Sequence, residues 1–252
     1  VTTPADRLTV VIPVLDDAEH LEQCLRSLLD QEGGPPSIVV VDDGSQDGSS
    51  DVAAAVAPDA RLLATEARAS GPSRARNLGV AASTTPLLSF LDADDAWPQG
   101  RLLADLALFD ADPTLESVMG RTTVEVETPD LMPDLLLDDR GSAAFWHLAA
   151  MSIRREAWFA VGPLDESLRR GEDTDWFYRA VDHGHFPHQH DAISLVYRRR
   201  HDSYTQGGKA TQRERLELML HMLRRRRAEG IDQPQVLTPP PPTSELPPPA
   251  PT

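Results

Sequence analysis

Short apolar runs alternate along the chain with longer segments whose apolar residues recur every three or four positions. Residues 7–14 form the first run, rich in β-branched residues and ending at Pro13-Val14, and predict a buried strand. Behind it Ala18, Leu21, Cys24 or Leu25, Leu28 and Leu29 repeat at helical spacing. Asp16 or Asp17 stands where a cap belongs, and Gly33-Gly34-Pro35-Pro36 stops the helix. Residues 38–41 predict a second strand, 51–57 a short helix, 61–64 a third strand, 73–82 another helix and 86–91 a fourth strand. Strand and helix thus alternate four times, the pattern of a mostly parallel sheet flanked by helices.

Beyond Trp97 the alternation loosens. Residues 101–109 read as a helix, 118–126 as a strand, 128–139 as a Pro- and Asp-bearing loop and 143–153 as an apolar stretch. A helix over 154–161 ends at Gly162-Pro163. Residues 174–182 put Trp176, Phe177 and Ala180 on one helical face, 192–197 form a last strand and 213–227 a last amphipathic helix. Residues 231–252 hold nine of the 22 prolines and predict a disordered or polyproline-type tail.

Composition narrows the function. A formal net charge of −16 opposes a nucleic-acid surface, which needs a basic stripe, and docking on anionic lipid by charge alone. Lys209 is the only lysine, which excludes lysine chemistry elsewhere in the chain. One cysteine permits no intrachain disulfide. No apolar run approaches membrane-spanning length and no leader pattern opens the chain, so a cytoplasmic protein without an integral membrane segment is expected.

The candidate chemistry lies at the strand ends. Ligands of parallel sheets sit beyond the carboxyl ends of the strands. The second strand ends in Asp42-Asp43, and the fourth runs into Asp92, Asp94 and Asp95. Three acids ending a buried strand repel one another and lose solvation unless a cation neutralises them. Mg²⁺ or Mn²⁺ with a diphosphate fits, since these ions use one or two carboxylates plus substrate phosphates. An acidic loop capping the helix near Pro98 fits the residues equally well. No Gly-x-Gly-x-x-Gly follows the first strand and no P-loop is present, which disfavours a dinucleotide-binding dehydrogenase and removes a P-loop NTPase. His183, His185, His188 and His190 suit no single helix face and lack a cysteine partner, and read as a solvated turn rather than a zinc site.

Five blocks in order carry a family resemblance. They are Val10-Val11-Ile12-Pro13-Val14 with Val39-Val40-Val41-Asp42-Asp43-Gly44-Ser45, then Gly71-Pro72-Ser73-Arg74-Ala75-Arg76-Asn77-Leu78-Gly79, then Leu91-Asp92-Ala93-Asp94-Asp95. Gly162-Pro163-Leu164-Asp165-Glu166 with Gly171-Glu172-Asp173-Thr174-Asp175-Trp176 follows, and Tyr197-Arg198-Arg199-Arg200-His201 closes the series. Over residues 8–204 the chain resembles the family 2 glycosyltransferases of the GT-A fold. That resemblance implies an α/β domain with a Rossmann-like, mostly parallel sheet and an acceptor-side α+β subregion. Residues 1–95 would bind the nucleotide sugar and 96–230 the acceptor.

The implied activity is that of an inverting glycosyltransferase of the hexosyltransferase type. It would move a sugar from a nucleotide diphosphate sugar, UDP-linked by resemblance, to an acceptor hydroxyl on a glycan, small molecule or peptide. By resemblance Pro13 and Leu15 would lie by the base and Asp43 would accept its hydrogen bond. Arg74 or Arg76 would reach the diphosphate, and Asp92 the ribose or the metal's water shell. Asp94 would bind Mn²⁺ or Mg²⁺, with Asp95 in reserve and His201 as a third ligand. Asp173 would be the general base, with Glu172 and Asp175 as rivals. A sugar-nucleotide-forming nucleotidyltransferase and a non-catalytic sugar-nucleotide- or glycan-binding domain are the alternatives. A homodimer through the last helix is compatible with the sequence.

Overall fold

The computed structural model describes residues 2–132, 137–139, 141–201 and 212–231. A short helix α1 (Pro4–Arg7) leads into β1 (Leu8–Val14), followed by α2 (Ala18–Leu29), β2 (Ser37–Asp42), α3 (Ser49–Val56), β3 (Arg61–Ala64), α4 (Pro72–Ala82) and β4 (Leu87–Phe90). The expected alternation is therefore present, with ends shifted by a residue or two. Leu21, Cys24, Leu25 and Leu28 turn the predicted face of α2 into the core.

β1 is central in this half. It pairs in parallel with β2 on one side and β4 on the other, and β2 pairs in parallel with β3. Helix α4 lies close on β1 and β2 because residue 79 is glycine. A Cβ there would stand 2.3 Å from Val11 Cγ1. This close approach, rather than a turn, accounts for the glycine of the Arg-Asn-x-Gly segment.

The second half comprises α5 (Arg101–Ala111), β5 (Ser117–Val126), β6 (Ser142–Ala143), β7 (Met151–Arg154), α6 (Arg155–Val161), α7 (Glu172–Asp182), β8 (His188–Arg199) and α8 (Gln212–Glu229). Its strands join the same eight-stranded sheet, in the order β3-β2-β1-β4-β7-β5-β6, with β8 paired to β5. β7 is antiparallel to both β4 and β5, so it knits the parallel half to the rest.

The expected 143–153 stretch divides into β6, a 3-10 turn at Leu148–Ala150 and β7. β8 starts at His188, earlier than its apolar pattern indicates, because β5 offers a pairing edge from Val118 onward. The histidine segment is thus not only a solvated turn: His188 and His190 are strand residues, and His190 Nε2 comes within 3.5 Å of buried Asp105. Of the expected 128–139 loop, residues 133–136 lie outside the described residues, as does the tail beyond Ile231.

Two buried features hold the halves together. Trp158 of α6 stacks on Trp176 of α7 at 4.6 Å and packs on Phe90 of β4 at 4.8 Å. Arg101, wholly buried at the start of α5, donates to Ser89 Oγ at 3.0 Å and to the carbonyls of Ala149 and Ser194 at 2.6 Å. One guanidinium therefore ties β4, the 3-10 turn and β8. Burial pushes its pKa down to about 10, with Asp105 pulling the other way. No helix among the described residues is long and apolar enough to cross a membrane.

Candidate active site

A cleft of about 1040 Å³ opens at the carboxyl edge of β1, β2 and β4. Pro13, Leu15, Asp43, Arg76, Asp92 and Asp94 line it from the first half, and His147, Glu172, Asp173, Tyr197, Arg198 and Arg200 from the second. Seven of the residues singled out in the sequence are thereby brought to one cavity.

The Asp42–Asp43 corner is saturated with hydrogen bonds. Asp42 accepts from the backbone N–H of Gly44 and Ser45 at 3.0 and 2.7 Å and from Ser50 Oγ. These bonds outweigh the opposing effect of its burial and hold the carboxyl below its usual range. Asp43 accepts from Thr65 Oγ1 at 2.6 Å and Ser70 N–H at 2.9 Å on one oxygen, and from Gly71 N–H at 2.8 Å on the other. It thus anchors the loop that leads into α4. A carboxylate oxygen accepts about two bonds, so Oδ2 retains capacity for one more donor in the cleft.

The Asp92–Asp95 corner is different. Arg76, 8% exposed in the middle of α4, donates to Asp92 at 2.5 Å and to Glu172 at 3.0 Å. Burial would raise the Asp92 pKa, but Arg76 and then His147 overcome it and hold the carboxyl below its usual range. Asp94 is answered more weakly, by Arg200 at longer range. Burial, then the charges of Asp92 and Asp17, push its pKa up, only partly opposed by Arg200, whose Nη2 stands 3.4 Å away. Asp95 is fully buried. Its Oδ1 accepts the Arg198 N–H at 2.8 Å, its Oδ2 has no hydrogen-bond partner among the described residues, and burial with the charges of Asp92 and Asp94 drives its pKa well up. Removing one partner of a buried ion pair costs about 3–5 kcal/mol, and the Arg76 cation serves two acids at once.

Across the cleft, α7 starts at Glu172, two residues earlier than expected, after Gly171 in a left-handed conformation (φ 76°). Glu172 is held by Arg76. Burial raises its pKa, Arg76 opposes this and Asp173 reinforces it, with a net rise. Asp173 lines the cleft and, among the described residues, is bonded within its own turn, to Thr174 N–H at 2.6 Å. Asp175 is 1% exposed and engaged by Arg179 at 2.9 Å and by Arg225 of α8. That pairing holds it in the α7–α8 contact, away from the cleft lining. The segment before α7 is clipped to α4 by Asn77, which donates to the Leu164 carbonyl and accepts the Leu164 N–H, both at 2.9 Å.

Three expected site residues lie off the cleft wall. Arg74 is absent from the lining and pairs with Glu166 at the cleft's edge at 3.3 Å, because two residues along a helix face nearly opposite directions. Asp95 is turned inward beneath the strand end, bracing β8 through Arg198. His201 is exposed, with its ring 3.0 Å from Thr128 Oγ1 and its N–H donated to Glu127. Conversely, His147, Asn77 and Asp17 take part in building the cleft without having been assigned a site role from the sequence, Asp17 having been read only as a candidate helix cap. His147 stands in an apolar aromatic run, where a lone polar residue was the only signal. Asn77 was visible only as part of a motif.

Among the described residues no group of three His, Cys, Asp or Glu side chains is arranged to hold a metal ion. The donor set suits a hard cation that takes one or two carboxylates and completes its shell with phosphate and water. Asp94, repelled by its neighbours, and the partnerless Oδ2 of Asp95 fit that requirement.

Comparison with known proteins agrees with this geometry. The sequence profile described as "Glycosyl transferase family 2" matches residues 9–162. A Mycobacterium tuberculosis protein named "Pre-mycofactocin glycosyltransferase" is 34% identical over 214 residues, covering 79% of this chain and 43% of that protein. The chain spans about half the length of the curated relatives it matches. Among solved structures, S. aureus TarS 1-349 in complex with UDP-GlcNAc superposes with a TM-score of 0.68 at 18% identity, over 86% of this chain and 65% of that one. The mannosyltransferase PcManGT from Pyrobaculum calidifontis, in complex with GDP-Man and Mn²⁺, gives 0.63 at 20% identity over 95% and 68%. The profile spans more than half of the chain and the sheet matches these neighbours, so the protein has the GT-A fold and belongs to glycosyl transferase family 2.

Proposed function

We propose that the chain transfers a sugar from a nucleoside diphosphate sugar to an acceptor hydroxyl by direct displacement, with inversion at the anomeric carbon. The observation that carries this reading is the disposition of one cleft, with Asp43, Arg76 and Asp94 on one side and Asp173 on the other. Residues 1–95 form the donor side and 96–230 the acceptor side of a single domain. Uracil is the favoured base, held by the spare acceptor capacity of Asp43 beside Pro13 and Leu15.

Arg76 reaches the diphosphate while remaining anchored by Asp92 and Glu172. Asp94, with the buried Asp95 behind it, is the ligand for Mn²⁺ or Mg²⁺. Such an ion, when bound, supplies positive charge to the departing diphosphate. Asp173 takes the proton of the attacking hydroxyl as its oxygen bonds to the anomeric carbon and the bond to the diphosphate breaks. Glu172 is occupied by Arg76 and Asp175 by two arginines, which leaves Asp173 as the carboxylate available to a hydroxyl.

The test is Asp173→Asn. Donor affinity, read by calorimetry with Mn²⁺, stays within about twofold, and transfer falls by roughly 10²–10⁴-fold. A variant that loses donor binding, or keeps transfer, rules Asp173 out as the base.

A further inference from the structure

We propose that His147 touches the substrate, donating a hydrogen bond from Nε2 to a hydroxyl of the sugar being transferred. The inference rests on the donor reading above and extends it to the sugar. His147 lines the cleft beside Leu148, at the start of the 3-10 turn that Arg101 ties to β4 and β8. Its Nδ1 accepts the Ala149 N–H at 3.2 Å. That bond leaves the ring proton on Nε2, and no described residue accepts it.

The ring is also fixed in orientation. Phe145 meets it edge-on at a centroid distance of 5.7 Å, and Tyr197 of β8 lies 5.4 Å away. Burial lowers the imidazole pKa against the pull of Asp92 and Asp173, so the donor is a neutral ring. Those same two carboxylates line the cleft with it. Asp92 belongs to the diphosphate side and Asp173 to the attacking hydroxyl. A group between a leaving diphosphate and an incoming hydroxyl is the sugar itself. A fixed neutral N–H against an aromatic wall is suited to one sugar hydroxyl and the apolar face of a pyranose.

Two substitutions separate contact from scaffold. His147→Asn places an acceptor where Nδ1 was, preserving the turn, and removes the Nε2 donor. His147→Gln places an N–H near the Nε2 position and sacrifices the turn bond. Calorimetry with Mn²⁺ would use UDP, UDP-GlcNAc, GDP and GDP-mannose as probes. His147→Asn is expected to bind the bare nucleotides within about twofold of wild type and the preferred sugar nucleotide roughly tenfold more weakly. His147→Gln is expected to recover most of that loss.

Equal sugar-nucleotide binding by His147→Asn and wild type would overturn the assignment. So would parallel loss of bare and sugar-bearing nucleotides, or a Gln variant weaker than the Asn variant, since both mark a residue that only holds the turn. A wild-type chain that binds none of the four probes would instead sink the donor reading, and this assignment with it.

Discussion

Two acidic corners flank the central strand β1, one after β2 and one after β4, and they are finished in opposite ways. Asp42 and Asp43 receive six hydrogen bonds from backbone N–H groups and hydroxyls, so their charge is answered by the fold itself. Asp95 is buried and Asp94 half-buried, beside each other and beside Asp92, and both have raised pKa values. A carboxylate whose lone pairs are filled by the chain is architecture. A carboxylate left in mutual repulsion stores unfavourable energy that a cation relieves on binding. Under the proposed function, the first corner chiefly shapes the nucleotide end and the second carries the charge chemistry.

The largest effect expected from breaking this contrast is on turnover. Asp94→Asn should lower kcat with Mn²⁺ by roughly 10³-fold, near 4 kcal/mol of barrier, while leaving the unfolding midpoint unchanged or slightly higher. Steady-state kinetics beside a thermal melt check both halves of the statement. Asp43→Ala should do the reverse in kind. It strands the Ser70 and Gly71 N–H groups and should cost about 2–3 kcal/mol of stability by denaturant titration. An Asp43 variant as stable as wild type would erase the distinction between the corners.

The smallest effect concerns Asp95 and is pH-dependent. Its pKa is raised in the folded chain, so the folded state holds the proton more tightly than the unfolded one. The resulting stabilisation is complete below the unfolded value of about 3.9 and is lost as pH rises through the higher folded value. Asp95→Asn escapes that loss and keeps an acceptor for the Arg198 N–H. In chelator-treated protein it should be more stable than wild type by about 1 kcal/mol at pH 7, with the gap closing towards pH 4. Melts across that range would show the convergence, and a gap independent of pH would contradict it.

Much of the first half of the chain was legible because its signals are local. A buried parallel strand is a continuous apolar run, and its end is marked where acids begin, as at Val41-Asp42 and Leu91-Asp92. The face of α2 followed from its period. The choice between Arg74 and Arg76 was not legible, since both satisfy the motif and only the packing of α4 on β1 decides which turns inward. The burial of Asp95 was not legible for a related reason: three nearby acids look equivalent until the pairing of Asp95 with the Arg198 N–H, far along the chain, is known. His147 and the early start of β8 depend on non-local partners, Tyr197 in one case and the β5 edge in the other. Periodicity does not reach them.

The shared guanidinium of Arg76 has a consequence for how this chain can change over generations. Position 76 balances acids at 92 and 172 that are remote from each other in the sequence. A lineage that loses the arginine leaves two half-buried carboxylates without the cation they share, so a change at 76 alters the balance at 92 and 172 together.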